Sequence, residues 1–493
     1  MTTAPWLRAA IRTIQTYSGP CRCYSTKLPK RTAVEIPPPK LDLRNICDNV
    51  ESKAQNIAAR KTVLPPNVVQ RIASLYTEER GVQQEITQAR HRRGVLGKSL
   101  AQLKDPQEAK AALDEATRMK AQLKELETKQ QELVGEIQGL ALRIPNDTHP
   151  DAPVGPEPNA KVLAEYGPPH KAAETRRDHL AIARQLELVD FEAGAVTTGS
   201  SWYYLVNEGA LLEMALVNYA YSVAIAHGFK PVTTPDVVRT DIASRCGFQP
   251  RDREEDNVSQ MYHVSNILAH NTGSARHHEL VLAGTAEIPL GGMFANKQIP
   301  LAALPQKVVG LGHAFRAEAG ARGADTRGLY RVHQFTKLEL FAVTAPDHSN
   351  AMMEEFKQLQ IKLFESLGLT FRVLDMPTEE LGAAAYRKYD IEAWMPGRDA
   401  WGEISSTSNC TDYQARRLNI RSKDKISDQN GAENLAFLHT LNGTAVAVPR
   451  LIVALLENGA CFSDAGELEA ISLPKVLQPF WVNGLQRNII RWH

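Results

Sequence analysis

The chain has 493 residues, 43% hydrophobic and 23% charged, a composition typical of globular proteins that bury a large core. Its length favours two or three domains. The 57 basic and 56 acidic side chains give a formal net charge of +1, so contact with a polyanion requires a local basic patch. Glu213, Asn218 and Ser222 interrupt the most apolar stretch, Ala210 to Ala226, which excludes a run of ~20 apolar residues and predicts no membrane partner.

Segment 1–24 has the composition of a mitochondrial transit peptide. Residues 1–34 contain no acidic residue and six basic ones, Arg8, Arg12, Arg22, Lys27, Lys30 and Arg31. On a helix, Trp6, Leu7 and Ile11 share one face and the early arginines lie elsewhere, which gives a basic amphipathic form. We expect cleavage after Tyr24 and a location in the mitochondrial matrix. The alternative is an ordinary disordered basic tail.

The segment from about Pro66 to Leu142 has the composition of long helices and lacks Trp and Phe. Apolar residues recur in its second half at steps of three and four, with Gln130 in the one gap: Leu113, Ala116, Met119, Leu123, Leu126, Leu133, Ile137 and Leu140. A helix with one apolar stripe packs against one partner helix. Pro106 marks the point where the chain reverses direction between the two helices. The sequence therefore predicts an antiparallel α-helical coiled-coil hairpin within an N-terminal domain spanning 41–144.

Basic side chains cluster toward the far part of the first arm of this hairpin: Arg90, Arg92, Arg93 and Lys98. Arms of about 35 residues reach on the order of 50 Å. Such an arm can contact a nucleic-acid phosphate far from a catalytic pocket. Periodicity alone favours a different interpretation, a dimerising coiled coil whose charged face is solvated.

A proline-rich linker, 145–169, separates the hairpin from a C-terminal body, 170–493. The body lacks the phosphate-binding loop GxxxxGK[ST], the dinucleotide turn GxGxxG and the nucleophile elbow GxSxG. His277, His278 and Glu279 lack the spacing of an HExxH zinc site, and the cysteines lack paired CxxC spacing. The sequence therefore predicts no zinc.

Residues 313–341 predict an antiparallel hairpin around a glycine-rich loop, 319–328. Strand alternation brings a cation, a ring and carboxylates to one face: Arg316 and Glu318 on the first strand, and His333, Phe335, Lys337 and Glu339 on the second. This face can hold a nucleotide, with Arg316 on a phosphate, Phe335 against a purine and Glu339 on an ammonium group. Ion pairs along a sheet surface are the alternative.

Further segments make a resemblance specific. They are GTAEIPL from Gly284, EISSTSNCTDYQARR from Glu403, and NGTAVAVPR from Asn442. FRAE at Phe315 and the strand that returns from it resemble motif 2 of class II aminoacyl-tRNA synthetases, TAVAVPRLIVALLEN resembles motif 3, and Gly228 to Pro235 resembles motif 1. Together with the helical hairpin, these blocks resemble the seryl-tRNA synthetase family over about 41–480.

The resemblance implies an α+β fold in which an antiparallel sheet flanked by helices follows the coiled-coil hairpin. It implies ATP-dependent activation of L-serine to seryl-adenylate with Mg²⁺, then transfer to tRNA(Ser), which the arm contacts through Arg90, Arg92, Arg93 and Lys98. It also implies a homodimer formed through Gly228 to Pro235. Because segment 1–24 predicts import into mitochondria, we expect the reaction to belong to mitochondrial translation. Two alternatives remain, a noncatalytic scaffold paralogue and a class II synthetase for another small amino acid.

The resemblance also implies the site residues. Those implied in catalysis are Arg316, Glu403 and Arg450. The implied serine site comprises Thr285, Glu287, Glu339 and Thr444. The implied ATP site comprises Arg316, Glu318, Val332, His333, Gln334, Phe335, Glu403, Ile404, Ser405, Ser406 and Arg450. Of these, Glu403 and Ser406 would bind Mg²⁺, which prefers hard oxygen ligands.

Overall fold

The structure is a computed structural model. It describes residues 35–100, 105–248, 261–265, 279–318, 328–427, 433–485 and 487–493, with backbone only at 426–427 and 433–434. Residues from Pro37 to His493 form one compact unit. The predicted transit peptide, 1–24, and most of the predicted motif 2 loop lie outside the described residues.

The N-terminal part of this unit is helical. Its helices are α1 Leu43–Asp48, α2 Val50–Ala59, α3 Val68–Leu100 and α4 Pro106–Arg143. The side chain of Asp105 accepts a hydrogen bond from the backbone N–H of Gln107, and Pro106 is the first residue of α4, where a proline lacks no helical hydrogen bond. Helices α3 and α4 pack against each other in antiparallel directions, which confirms the predicted hairpin.

The hairpin is packed tightly at its base and loosely toward its tip. Ile72, Ile86 and Ile137 are at most 2% exposed, whereas α3 buries no described side chain beyond Ala89. Leu113, expected on the apolar stripe, is 56% exposed, because the buried part of α3 ends before it reaches that level. Gln130 fills the predicted gap with hydrogen bonds from its amide to the carboxylate of Glu79 and the amide oxygen of Gln83.

The body contains short helices and three long ones. These are α5 His179–Gln185, α6 Phe191–Thr197, α7 Asn207–Ala226, α8 Thr240–Arg245, α9 Glu287–Phe294, α10 Ser349–Ser366, α11 Tyr413–Leu418 and α12 Val448–Gly459.

The strands of the body fall into one large sheet and several small ones. They are β1 Lys161–Tyr166, β2 Val189–Asp190, β3 Tyr204–Leu205, β4 Lys230–Thr233, β5 Val237–Arg239, β6 His263–Val264, β7 Leu280–Leu282, β8 Gln298–Ile299, β9 Gln306–Phe315, β10 Gln334–Thr344, β11 Phe371–Asp375, β12 Arg387–Met395, β13 Ala400–Asn409, β14 Arg421–Ser422, β15 Ile426–Ser427, β16 Glu433–Asn434, β17 His439–Ala447, β18 Ala460–Phe462, β19 Leu468–Leu473 and β20 Ile490–Trp492.

The large sheet has eight strands in the order β1-β11-β12-β13-β17-β10-β9-β4. Neighbouring strands are antiparallel except β4, which runs parallel to β9 at one edge. Helices cover both faces of this sheet, so the predicted α+β fold is confirmed.

Within the segment predicted as a linker, 145–169, residues 161–166 form β1 at the other edge of the sheet and pair with β11. Proline richness concealed this strand, since the residues that form the ladder lie between the prolines and alternate weakly in polarity.

Alternation along β10 distributes its side chains between the two faces of the sheet. Leu338, Leu340 and Ala342 enter a large core that α7, α10 and α12 also line. Phe341 and Val343 point the other way, into a second core lined by α8, α9 and α11. Phe335, Lys337 and Glu339 share the face of the second core, and this face carries the candidate site.

Helix α7 is long and apolar enough to cross a membrane, and it is the one such helix within the described ranges. Leu212, Leu216 and Ala220 lie on its buried face and pack in the large core. A core helix of a globular domain meets the same criteria of length and composition, so this helix is weak evidence for a membrane span.

Candidate active site

A cavity lies on the face of the large sheet where β10, β13 and β17 meet the first turn of α12. It encloses about 550 Å³ of empty space, part of it open to solvent. The following residues implied by the resemblance line it: Arg316, Glu318, Val332, Phe335, Glu403, Ile404, Ser405, Ser406, Thr444 and Arg450. The structure therefore brings together side chains that are far apart along the chain.

One end of the cavity is organised by Arg450 and Glu403. Pro449 lies in the first turn of α12 with a preset φ, and Arg450 follows it over the cavity. Arg450 Nη1 lies 3.0 Å from Glu403 Oε2 and donates to the Glu403 backbone oxygen at 3.1 Å. Burial opposes ionisation of Glu403, but the charge of Arg450, followed by those of Lys388 and Arg316, outweighs it and lowers the pKa of Glu403 to about 2.

Arg316 follows the last residue of β9 and faces Arg450 across the cavity. Its Nε donates to the backbone oxygen of Gly284 at 3.2 Å, and its guanidinium carbon lies 5.4 Å from the centre of the Phe335 ring. Burial lowers the pKa of Arg316, and the nearby positive charge of Arg450 lowers it further. These two cations line one cavity with Glu403 and Glu318, and such a cavity can bind a nucleotide, with Arg316 on a phosphate.

The other end of the polar face contains the four residues implied for serine; of these, Thr444 lines the cavity, and Thr285, Glu287 and Glu339 do not. Glu339 on β10 pairs in register with Thr444 on β17, and these side chains are 1% and 3% exposed. Lys337 Nζ lies 2.6 Å from Glu339 Oε2 and donates to Thr285 Oγ1 at 3.2 Å. The approach of Lys337 to Glu339 is a charge contact rather than a directed hydrogen bond, because Glu339 Oε2 has no hydrogen-bond partner.

Glu287 is the first residue of α9 and completes this end of the site. Its Oε1 accepts hydrogen bonds from Gln414 Nε2 at 2.6 Å and Asn442 Nδ2 at 2.9 Å. Burial raises the pKa of Glu287 to about 7, and the charge of Glu339 adds to the effect. The charge of Lys337 acts in the opposite direction.

The charges at this end do not balance. Glu287 and Glu339 contribute two carboxylates when ionised, and Lys337 is the one ammonium group placed between them in the described part of the chain. The sum is one negative charge, which suits one further ammonium group from a ligand. Thr285 and Thr444 add hydroxyls beside it, so this end can bind a small amine that also carries a polar group.

Two residues of the implied ATP site, His333 and Gln334, do not line the cavity. Nδ1 of His333 donates instead to the backbone oxygen of Arg316 at 3.0 Å, and the imidazole packs against the Trp202 ring with centroids 5.8 Å apart. His333 therefore supports the backbone that carries Arg316.

Six residues that line the cavity were absent from the set implied by the resemblance, and two of them, Tyr330 and Lys337, contact its charged side chains. Tyr330 lies beneath Arg450, with the guanidinium carbon 4.8 Å from the ring centre. Lys337 pairs with Glu339. Lys337 could have been predicted from the sequence, because it lies two residues from both Phe335 and Glu339 and therefore on the same face of a strand. Tyr330 lies in a loop before β10, where no sequence periodicity indicates which way a side chain points.

Glu403 and Ser406 are the two residues implied for Mg²⁺. Both line the cavity and offer hard oxygen atoms, and Glu403 is held in its ionised form. No group of three His, Cys, Asp or Glu side chains with metal-binding geometry occurs within the described residues. Mg²⁺ is usually held by one or two carboxylates together with the phosphates of its nucleotide, so Glu403 and Ser406 fit that ion.

The residues implied for tRNA and for dimerisation lie outside the cavity. Arg92, Arg93 and Lys98 are exposed on the distal part of α3, whereas Arg90 forms an ion pair of 2.8 Å with Glu127 on α4. The segment from Gly228 to Pro235 contains β4, an edge strand of the large sheet.

Comparison with known proteins identifies these elements. The family description "Seryl-tRNA synthetase N-terminal domain" matches residues 41–148, and "tRNA synthetase class II core domain (G, H, P, S and T)" matches residues 264–459. The serine--tRNA ligase of Rhodopirellula baltica is 40% identical over 446 residues, which cover 90% of this chain and 98% of the bacterial one. The mitochondrial serine--tRNA ligase of Schizosaccharomyces pombe is 40% identical over 442 residues, or 89% of this chain and 88% of the yeast one.

The fold gives the same result. The crystal structure of seryl-tRNA synthetase from Pyrococcus horikoshii, complexed with ATP, matches with a TM-score of 0.77 and 33% identity, over 89% of this chain and 98% of that one. The similarity extends over the hairpin and the body together. This chain therefore belongs to the seryl-tRNA synthetase family of class II aminoacyl-tRNA synthetases.

Proposed function

We propose that this chain is a mitochondrial serine--tRNA ligase that activates L-serine with ATP and Mg²⁺ and transfers the seryl group to tRNA(Ser). The observation that carries the proposal is the charge pattern of one site. A carboxylate pair with a single ammonium, at Glu287, Glu339 and Lys337, adjoins two arginines that face each other. An amino acid and a nucleoside triphosphate carry the complementary groups.

In the first step, an oxygen of the serine carboxylate attacks the α-phosphorus of ATP, and the bond to the β-phosphate oxygen breaks to release pyrophosphate. The protein supplies no nucleophile, so it acts by orientation and by charge stabilisation. Arg316 holds the α-phosphate at the end of β9. Arg450 and Phe335 hold the adenine between them, and the loop from Val332 borders it.

Mg²⁺ neutralises phosphate charge when it is bound with ATP. Glu403 and Ser406 are the residues that would hold it. Glu403 would suit this role because its low pKa keeps it ionised throughout the neutral range.

Selection of serine follows from burial of the groups that face its polar atoms. Glu339 and Thr444 are almost completely buried, so a ligand without a hydroxyl leaves a desolvated polar group without a partner. A site built in this way rejects the analogue that lacks the hydroxyl much more strongly than an apolar pocket rejects a missing methylene. Alanine is therefore expected to be a poor substrate.

In the second step, a ribose hydroxyl of the terminal tRNA adenosine attacks the seryl carbonyl carbon, and AMP leaves. The hairpin, in a domain spanning 41–144, holds the tRNA through Arg90, Arg92, Arg93 and Lys98, because phosphate contacts fix the orientation of a nucleic acid. The adenylation site and the arm are far apart, so the two steps can be impaired separately.

The protein forms a homodimer through the segment from Gly228 to Pro235. Strand β4 in that segment lies at a sheet edge, where backbone groups remain available for a partner. Met214 and Ile225 on the preceding helix α7 are 52% and 49% exposed, which supports burial of this helix against a second subunit. Sedimentation at micromolar concentration tests this, and a monomer would contradict it.

The reaction takes place in the mitochondrial matrix after removal of segment 1–24. Its basic, acid-free composition supports this location, and relatives named mitochondrial are as similar as bacterial ones. Sequencing the N-terminus of the protein from purified mitochondria tests it, and an intact Met1 would contradict cleavage.

ATP–pyrophosphate exchange measured with each amino acid tests the central proposal. We expect exchange with serine, and exchange at least ~100-fold weaker with alanine, because the buried polar partners of the hydroxyl are then left unpaired. Exchange that depends on another amino acid, or no exchange at all from folded protein, would contradict it.

A further inference from the structure

Glu287 presents its two carboxylate oxygens to different surroundings. Both amide donors in contact with the side chain bind Oε1, Gln414 at 2.6 Å and Asn442 at 2.9 Å. Among the residues that the structure describes, none donates to Oε2. A carboxylate held through one oxygen keeps its second oxygen for a ligand.

The amide of Gln414 is fixed in one orientation. Gln414 is 0% exposed, and its Oε1 accepts from Thr440 Oγ1 at 2.7 Å, while its Nε2 donates to Glu287 and to the Cys246 backbone oxygen at 3.0 Å. Reversal of the amide would place its oxygen against two acceptors. The network therefore determines that Gln414 donates to Glu287.

Asn442 is held in a similar way from the sheet. Its Nδ2 donates to Glu287 and also lies 3.4 Å from the Cys410 sulfur, and its side chain is buried at 8% exposure. The two amides come from different elements, α11 and β17. They therefore fix the carboxylate of Glu287 from two directions.

We infer that Gln414 and Asn442 are positioning residues that occupy Oε1 of Glu287, favour its ionised form and present Oε2 to the ammonium group of the substrate. The inference rests on the proposed function, because it takes serine as that substrate. It assigns the affinity for serine partly to two residues that do not face the cavity.

The charged groups around Glu287 give this inference a pH dependence. Burial is the main effect that raises its pKa to about 7, and Glu339 on β10 raises it further, whereas Lys337, the hydrogen bond from Gln414 and Arg316 lower it. The thiols of Cys246 and Cys410 also face Glu287, and burial raises their pKa values, so they remain neutral. Loss of the Gln414 donor therefore raises the pKa of Glu287 and leaves more of it protonated at neutral pH.

The direction of the pH dependence of serine binding follows from the protonation state of Glu287 that binds the substrate. Only ionised Glu287 attracts an ammonium group, so serine affinity is present above the pKa of Glu287 and is lost as the pH falls through it. A higher pKa moves this loss to a higher pH.

The test replaces Gln414 by methionine, which has a similar volume and no donor. We expect the KM for serine in ATP–pyrophosphate exchange to rise about tenfold at pH 7, the scale of one lost hydrogen bond to a charged group, with little change in kcat or in the KM for ATP. The pH at which the KM for serine begins to rise should move upward by about one unit, and alkaline pH should restore much of the affinity.

Gln360→Met is the matched control. Gln360 is also buried and donates through Nε2 to the backbone oxygens of Ser406 and Thr444, and it does not contact Glu287. It should lower stability by a similar amount and leave the pH dependence of serine binding unchanged. If Gln414→Met does not fold, Asn442→Leu gives the same upward shift by removing the second donor, and calorimetric titration with serine measures it directly.

A folded Gln414→Met protein with an unchanged pH dependence of the serine KM would overturn the inference. So would a loss confined to kcat, because that result indicates a purely structural role. Failure of the proposed function is a separate result, since the unaltered enzyme would then show no serine-dependent exchange at any pH.

Discussion

Ion pairs are exposed to solvent in the helical arm and buried in the candidate site on the sheet of the body. Between α3 and α4 the ion pairs lie at the surface, as in Arg71–Glu136, whose side chains are 53% and 45% exposed. In the body, Lys337 and Glu339 form a pair with side chains 11% and 2% exposed. The arm is held by apolar residues such as Ile86, and its charged side chains are exposed to solvent. The candidate site on the sheet buries its Lys337–Glu339 pair, so the geometry of this pair is fixed before a ligand arrives.

This difference predicts where substitutions are costly. A solvated ion pair contributes little because water screens it and its side chains must be ordered. A desolvated pair is costly to break because one charge then remains without a partner.

Glu339→Ala should lower serine-dependent ATP–pyrophosphate exchange at least ~10³-fold, or about 4 kcal/mol, because a preorganised group that contacts the substrate is lost and Lys337 is left unpaired. The far-ultraviolet circular dichroism of the folded protein should remain. Glu136→Ala on the arm is the control, and its exchange rate should equal that of the unaltered enzyme. Near-normal exchange in Glu339→Ala would contradict the site.

Arg60→Ala should lower the free energy of unfolding by about 3 kcal/mol, because Arg60 is a buried cation hydrogen-bonded to several backbone oxygens. Its guanidinium donates at 2.7 Å to the Asn146 oxygen, at the base of the arm, and at 2.6 Å to the Gly382 oxygen, in the body. Denaturant unfolding measures the loss. Arg71→Ala, which removes an exposed arginine, should cost less than ~0.5 kcal/mol, and equal costs would contradict the comparison.

Within the arm, Ile86→Ala should cost about 3 kcal/mol, because it leaves a cavity beside a fully buried residue. Leu113→Ala should cost less than ~0.5 kcal/mol, because Leu113 is 56% exposed. Thermal unfolding of the two variants measures the loss of stability in each. Similar costs would mean that the tip is as tightly packed as the base.

Replacement of Arg92, Arg93 and Lys98 by glutamine should raise the KM for tRNA(Ser) about tenfold at physiological salt, because each lost phosphate contact weakens binding and reduces its salt dependence. Serine-dependent exchange should not change, since these residues lie on the arm. An equal loss of exchange and of tRNA charging would show that the arm acts structurally.

Much of the arm could be predicted from the sequence. The apolar stripe through Leu123, Leu133 and Ile137, together with the reversal at Pro106, specifies two helices that pack on each other, because both features depend on residues close in the chain. The exposure of Leu113 could not be predicted, since periodicity does not show where the partner helix ceases to be packed. The strand β1 was hidden for a related reason, because its partner β11 lies some 200 residues further along.

The sequence by itself determined the two-helix arm, the strands around the FRAE segment and, through ordered motifs, the family and most residues of the cavity. Only the tertiary structure decided that Lys337 neutralises Glu339 and that Gln414 and Asn442 share one oxygen of Glu287. The physical reason is the distance along the chain over which each feature is determined. Helix and strand formation follow from side-chain spacing along the chain, whereas the ionisation and orientation of a buried polar group are set by neighbours that the fold brings from distant segments.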